Sequence, residues 1–211
     1  MKDYLVFDLE TQRSAQEVGG WNNISEMKMS VGVLWDSSKN DFAIYLEDEV
    51  MNLIKHLKSG PTVVGYNHLG FDYTVLTGYF SGEAERRKQM EEFKQLDNLD
   101  LLVDLKNRIG RRIKLDDVAR PTLQVGKSAD GLLALKWYKD YLNGDKEKLQ
   151  KIIDYCCQDV AVTRDVFLHG IKNRSILYED KYEGIKKVEV DWGQLEQKPD
   201  DSEPDSFQLS F

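Results

Sequence analysis

The segment Tyr4–Thr11, YLVFDLET, lies almost at the amino terminus and decides how the rest of the chain is read. Tyr4 to Leu9 is a run of apolar and β-favouring residues broken only by Asp8, and Glu10 follows two positions later. A strand alternates its side chains with a period of two, so Asp8 and Glu10 emerge on one face. Leu5, Phe7 and Leu9 point the other way, towards a core. Two carboxylates side by side at the end of a buried strand repel each other and resist desolvation. A divalent cation held between them relieves both costs; acidic residues that simply reach solvent are the plainer account. The octapeptide alone leaves both open. The decision falls to whether the chain brings further carboxylates to the same point.

The chain has 211 residues, which suits one domain with some decoration. Its hydrophobic fraction of 41% and 4 tryptophans allow a sizeable core. No apolar run approaches the roughly 20 residues of a membrane span, and no basic-then-apolar leader opens the sequence. The two cysteines, Cys156 and Cys157, are adjacent, a spacing that fits neither a disulfide framework nor a metal knuckle. They read as reduced core residues of a cytoplasmic protein. A net charge of -8 argues against coating nucleic acid by bulk electrostatics, while leaving room for an enzyme with a local basic groove.

Ser30–Trp35 and Asp41–Leu46 read as strands joined by a turn, and with the opening strand they predict an antiparallel meander of three. Between them, the polar, glycine-containing segment from Gln12 to Met27 reads as a long loop or hairpin excursion. Glu47–Leu57 has helical spacing, Thr62–Tyr66 is a short buried strand, and Asn67–Tyr79 is expected to be a helix capped by Asn67. Ser81–Gln95 is highly charged and surface-bound. Asn98–Asn107 suggests a short strand running into a helix, Leu115–Gly131 reads as loop-rich, and Leu132–Leu142 as helical. The clearest helix is Lys146–His169, with an apolar stripe at three- and four-residue spacing. Gly184–Trp192 is a candidate strand. From residue 194 the composition turns acidic and proline-containing, so the expected division is a folded domain over 1–193 and a disordered tail over 194–211. Strands first, then strand–helix alternation, predict a mixed α/β layer fold.

Two more segments carry carboxylates. In Val64–Leu76, a strand hands over to a helix near Asn67, and Asp72 sits in the first turns, where the helix dipole by itself favours an acidic residue. His68 reads on its own as a surface residue of the first turn. In Tyr155–Asp159, YCCQD, residues four apart share a helix face, so the Tyr155 hydroxyl and the Asp159 carboxylate project side by side. Each of these segments has an ordinary structural account when taken alone.

Together they say more. FDLET (Phe7–Thr11), N-x-x-x-F-D (Asn67–Asp72) and Y-x-x-x-D (Tyr155–Asp159) resemble, in order, the three exonuclease motifs of the DEDD superfamily. Tyr155 marks the DEDDy branch; the sibling branch has histidine where this chain has Asp154. The wording is also similar to the proofreading domain of family B DNA polymerases, over about Tyr4 to His169, in a chain too short to hold a polymerase. The resemblance implies an RNase H-like α/β fold, with a mixed central sheet flanked by helices, and a stand-alone 3′–5′ exonuclease using two Mg²⁺ or Mn²⁺ ions. Carboxylate-rich, His- and Cys-poor ligands suit such hard ions. By resemblance, Asp8 bridges both ions, Glu10 and Asp159 complete the site of the attacking water, and Asp72 holds the second ion. Tyr155 positions that water beside Glu10. Leu9 and Thr11 contact the terminal nucleotide, and Asn67, His68 and Phe71 line its pocket.

Lys106, Arg108, Arg111, Arg112, Lys114 and Lys127 form a basic group suited to phosphates or, equally, a solvated loop. The ending Ser206–Phe211 (SFQLSF) is similar in Leu209 and Phe211 to the peptide by which bacterial replication proteins bind the sliding clamp, although Ser206 stands where that pattern begins with glutamine. A frayed terminus is the alternative. Three functional alternatives also stand: an exoribonuclease, a non-catalytic RNase H-like binding module, which would be expected to lack carboxylates that this chain retains, and an endonuclease of RNase H type, against which Tyr155 argues. The motifs do not distinguish DNA from RNA; the tail favours single-stranded DNA as substrate.

Overall fold

A computed structural model describes residues 2–125 and 132–193. Lys127 and the segment 194–211, with Leu209 and Phe211, lie outside the described residues. A five-stranded sheet has the order β3-β2-β1-β4-β5, formed by β1 (Tyr4–Thr11), β2 (Met29–Asp36), β3 (Asp41–Leu46), β4 (Thr62–Gly65) and β5 (Asn98–Asp100). The first three strands are the expected antiparallel meander, while β1–β4 and β4–β5 pair in parallel. Seven helices surround the sheet among the described residues: α1 (Val50–Leu57), α2 (Asp72–Thr77), α3 (Glu83–Lys94), α4 (Leu101–Ile109), α5 (Leu115–Leu123), α6 (Leu132–Leu142) and α7 (Glu147–Asn173). A mixed sheet flanked by helices is the architecture that the resemblance implies.

The central strand is buried on both sides. Leu5, Phe7 and Leu9 join a cluster with α1 and α2, and Tyr4 and Val6, on the carboxylate side, join a second cluster under α7. Parallel pairing with β4 places the strand in the interior of a three-layer stack. That pairing ends at Phe7↔Gly65, so Asp8 and Glu10 project just past the last β4 partner. An open sheet forms its crevice at the carboxyl ends of such strands. Asp8 and Glu10, still paired with Val33 and Val31 of β2, thus pass beyond the β4 ladder where the sheet opens.

Two local expectations give way to tertiary contacts. The helix expected from Asn67 starts only at Asp72, and Asn67 has a left-handed backbone with φ 72°. Asparagine tolerates that conformation better than most residues. Asp100 stabilises the turn from across the sheet, its carboxylate accepting the backbone N–H groups of Asn67 (2.9 Å) and Leu69 (3.1 Å). The same carboxylate accepts from Leu102 and Val103 and so caps α4. The region from Leu115, expected to be loop-rich, instead forms α5 despite Pro121, with Val118, Ala119 and Thr122 buried. Apolar burial against α7 outweighs the proline, which falls in the last turn of this short helix.

Beyond α7, β6 (Ser175–Asp180) pairs with β7 (Gly184–Glu189) as a separate hairpin. Trp192 then returns to the core at 2% exposure, its indole N–H donating to Asp104 Oδ2 at 2.8 Å. A Cβ on Gly170 of α7 would lie 2.1 Å from the Trp192 ring, so the indole lies directly on the helix backbone. Trp192→Ala is expected to lower the stability of the fold by about 3–5 kcal/mol in urea unfolding, the range for emptying a large aromatic site. Trp192→Phe should cost less, and an unchanged midpoint in both variants would contradict this role.

Candidate metal centre

Helix α7 crosses the sheet beside the carboxyl end of β1, and its apolar stripe sets which residues face the strand. Ile152, Cys156, Val160, Thr163 and Phe167 are buried. Asp159 borders this stripe and meets Asp8 and Glu10. A carboxylate oxygen from each of the three lies within 4.8 Å of the others, close enough to share an ion. Tyr155, one turn earlier, shares a side-chain hydrogen bond with Asp159. The Cys156 thiol faces the Asp8 carbonyl at 3.6 Å and Asp8 Oδ2 at 3.8 Å. Helix and strand are in direct contact here.

Asp72 stands beside this group without joining it. It is 3% exposed, and its Oδ1 accepts the backbone N–H of Leu9 at 3.1 Å. It therefore holds the β1 backbone between Asp8 and Glu10. No lysine or arginine among the described residues forms an ion pair with Asp8, Glu10, Asp72 or Asp159. Burial, with the mutual repulsion of Asp72, Asp159 and Glu10, pushes the Asp8 carboxyl well above its ordinary range, and Glu10 is raised in the same way. Burial raises Asp72 to about 8 against the opposing hydrogen bonds of its own and the Leu9 N–H. Asp159 is raised to about 6, burial outweighing the Tyr155 hydrogen bond, with Asp116 adding repulsion. Desolvation, then the neighbouring carboxylates, also push the Tyr155 hydroxyl upward, so it stays protonated. Hard oxygen donors, converging and uncompensated, fit a divalent cation.

Asp8, Glu10, Asp159 and Tyr155 are thus brought together, with Asp72 against the same strand. Leu9, Thr11 and Phe71 line a groove of about 650 Å³ that opens at Glu10. His68 is elsewhere: it is fully buried, its Nε2 lies 3.2 Å from Asn98 Oδ1, and it packs edge-on against Tyr73. Neither a surface position nor a pocket lining describes it, because the turn stabilised by Asp100 directs its ring inward. Asn67 accepts a hydrogen bond from Arg112 at 3.1 Å. Arg111 pairs with Asp180 and Arg108 with Asp104, so with Arg112 three members of the basic group already have protein partners. Sequence reading missed Asp100, whose carboxylate reads as an ordinary strand-end residue until its backbone partners are in place. It also missed Trp21, a lining residue of the groove that is 70% exposed.

The raised carboxyls give a pH dependence with a defined sign. Their contribution to the stability of the metal-free protein is full below about pH 4, the ordinary range of a carboxyl. It is lost as the pH rises through about 6 for Asp159 and about 8 for Asp72. Asp72→Asn should flatten this loss. Added Mg²⁺ or Mn²⁺ should raise the melting temperature more at pH 8 than at pH 5.5, and should fail to do so in Asp8→Asn. A melting temperature indifferent to both ions at pH 8 would refute the metal centre.

Among known proteins, residues 5–169 match the family model RNase_H_2, of the RNase H superfamily. No curated protein matches the chain. Among solved structures, the family B DNA polymerase from the hyperthermophilic archaeon Pyrobaculum calidifontis is similar at a TM-score of 0.54 and 17% identity. The match covers 82% of this chain and 26% of the polymerase, so the chain spans about a quarter of that protein's length. At this identity the likeness concerns the fold. The matched residues enclose the whole carboxylate group, from Asp8 to Asp159, and the chain belongs to the RNase H superfamily.

Proposed function

We propose that this protein is a 3′–5′ exonuclease of the DEDDy type that removes nucleotides from single-stranded DNA with two Mg²⁺ or Mn²⁺ ions. The observation that carries the reading is the convergence of Asp8, Glu10 and Asp159 with a tyrosine hydrogen-bonded to the last of them. An endonuclease of RNase H type gives no reason for that tyrosine, and a binding module gives none for uncompensated carboxylates.

Asp8, Glu10 and Asp159 are the residues that would hold one ion, and Asp72, with Asp8, the second. Bound divalent ions supply the positive charge that makes water nucleophilic at neutral pH and offsets the charge developing on the leaving oxygen. The chain's own groups do the rest. Tyr155, kept protonated by its acidic surroundings, holds and orients the attacking water beside Glu10. Asp72 fixes the strand backbone through Leu9 N–H, which sets the spacing between Asp8 and Glu10. Leu9, Thr11 and Phe71 receive the terminal nucleotide in the adjoining groove. Arg112, linked to Asn67, would meet a phosphate of the strand, with Arg111 and Lys127 as further candidates. The two free thiols are consistent with work in the reducing cytoplasm. The segment 194–211 is proposed as a tether to a sliding clamp through Leu209 and Phe211; deletion of that segment should then abolish clamp binding.

The decisive assay compares 5′-labelled and 3′-labelled single-stranded DNA, RNA and a circular DNA with either ion. Stepwise shortening of the 5′-labelled strand, immediate mononucleotide release from the 3′-labelled one and an uncut circle are expected. Asp8→Ala, Asp72→Ala and Asp159→Ala should each remove detectable cleavage, whereas Tyr155→Phe should lower kcat by a smaller factor. Cleavage of the circle, or full activity in Asp8→Ala, would overturn the proposal.

A further inference from the structure

Among the site residues, Tyr155 alone carries no negative charge to draw it towards an ion. Its hydroxyl bonds to Asp159, and the direction of its ring is left to whatever packs on it. That packing is close, for Tyr155 is buried. Trp137 of α6 supplies an aromatic part of the cover. The two ring centroids are 6.2 Å apart and the planes meet at 73°, an edge-to-face contact. Such a pair favours one mutual orientation, because the edge of an aromatic ring is positive and its face negative. Trp137 touches the residue that orients the water, and is not among the residues that line the nucleotide groove.

The position of Trp137 is set by the short connection between α6 and α7. Gly144 turns the chain with φ 106°, a conformation that other residues rarely adopt. The Asn143 and Gly144 N–H groups donate to the Lys139 and Tyr141 carbonyls, at 3.1 and 3.0 Å, and Asp145 N–H to the Asp140 carbonyl at 3.1 Å. Lys146 sets its ammonium 4.6 Å from the centre of the Tyr141 ring. This tight turn folds α6 back against α7. Ala134, 1% exposed, lies one turn before Trp137 on the same face, where its small side chain lets another element come close. Elsewhere on α6, Lys139 pairs with Glu17 of the excursion after β1 at 2.6 Å. A helix tied both to α7 and to the excursion gives Trp137 a fixed place from which to hold Tyr155.

We infer that Trp137 is a positioning residue for the hydrolysis: packed edge-to-face on Tyr155, it holds that ring so that the hydroxyl stays on Asp159, beside Glu10. This rests on the exonuclease reading and adds to it a residue that the chemistry itself does not touch. Without the indole, the Tyr155 ring turns more freely and water enters on one side, so the hydroxyl spends less time where the attacking water needs it. Small losses of alignment of this kind lower rate strongly. The loss falls on kcat and spares KM, because Trp137 acts through Tyr155 and not through the nucleotide. A tryptophan that only joined α6 to α7 would have no such dependence on the Tyr155 hydroxyl.

A double-mutant cycle on the full chain tests this with single-stranded DNA and Mg²⁺, alongside NMR spectra of ring-labelled tyrosine. Trp137→Ala is expected to lower kcat about tenfold while KM changes less than about twofold, and Trp137→Phe to restore most of kcat. In a Tyr155→Phe background, Trp137→Ala should cost almost nothing further, since the hydroxyl it positions is already gone. The Tyr155 ring signals, assigned by their loss in Tyr155→Phe, should move in Trp137→Ala as the ring current of the indole is removed. Should Trp137→Ala fail to fold, Trp137→Leu keeps α6 seated and takes its place in the cycle. An equal loss of kcat in both backgrounds, or no loss in a folded variant, would overturn the inference, and so would Tyr155 signals that stay in place. A wild-type protein that cleaves nothing, but whose Tyr155 signals depend on Trp137, would instead uphold the holding of Tyr155 and refute the exonuclease reading.

Discussion

Four carboxylates share one corner of this protein, and folding forces them there without a cationic side chain among the described residues to offset them. Each is pushed towards its protonated form by burial and by its neighbours. The site costs stability that the rest of the molecule must offset, and the double-sided core around β1 does so. A central strand covered on both faces by apolar side chains tolerates a cluster of repelling carboxyls at its end because its remaining residues are fixed so well. Placing the acids just past the last β4 partner confines the repulsion to the open edge of the sheet.

Long-range backbone contacts turn this corner into a site of fixed geometry. Asp72 grips the strand between the two β1 acids, and Asp100 gathers N–H groups from the 67–69 turn and from the start of α4. Neither needs to touch a substrate to matter. Each converts a flexible connection into a supported one, and the turn that Asp100 supports directs His68 into the core while leaving Phe71 at the groove. A carboxylate with several backbone donors is worth more than an exposed ion pair, because it satisfies groups that cannot find water.

The meander, the buried β4 and the long α7 were legible from alternation and helical periodicity, and the carboxylates could be picked out because three short motifs carry them in order. What sequence could not show was what depended on distant partners. Asn67 has every mark of a helix cap, yet it lies in a left-handed turn held by Asp100, more than thirty residues on, and caps nothing. Pro121 marks a break, yet burial of Val118 and Thr122 holds the helix around it. Trp21 sits in a polar, glycine-rich stretch, and nothing local indicates that it faces the groove. Local pattern reads well where the strand or helix period governs burial, and poorly where a single side chain bonds backbone far away.

Trp192 has a mechanical meaning beyond its share of the core. It is pinned between the backbone of α7 and the Asp104 carboxylate, directly before the end of the described chain. A pull applied beyond residue 193 is taken up first by this indole, at the opposite end of α7 from Tyr155. It must extract a fully seated aromatic ring before it can tilt the helix. Whatever the residues after 193 hold on to, the corner where Asp8 meets Asp159 is insulated from the load.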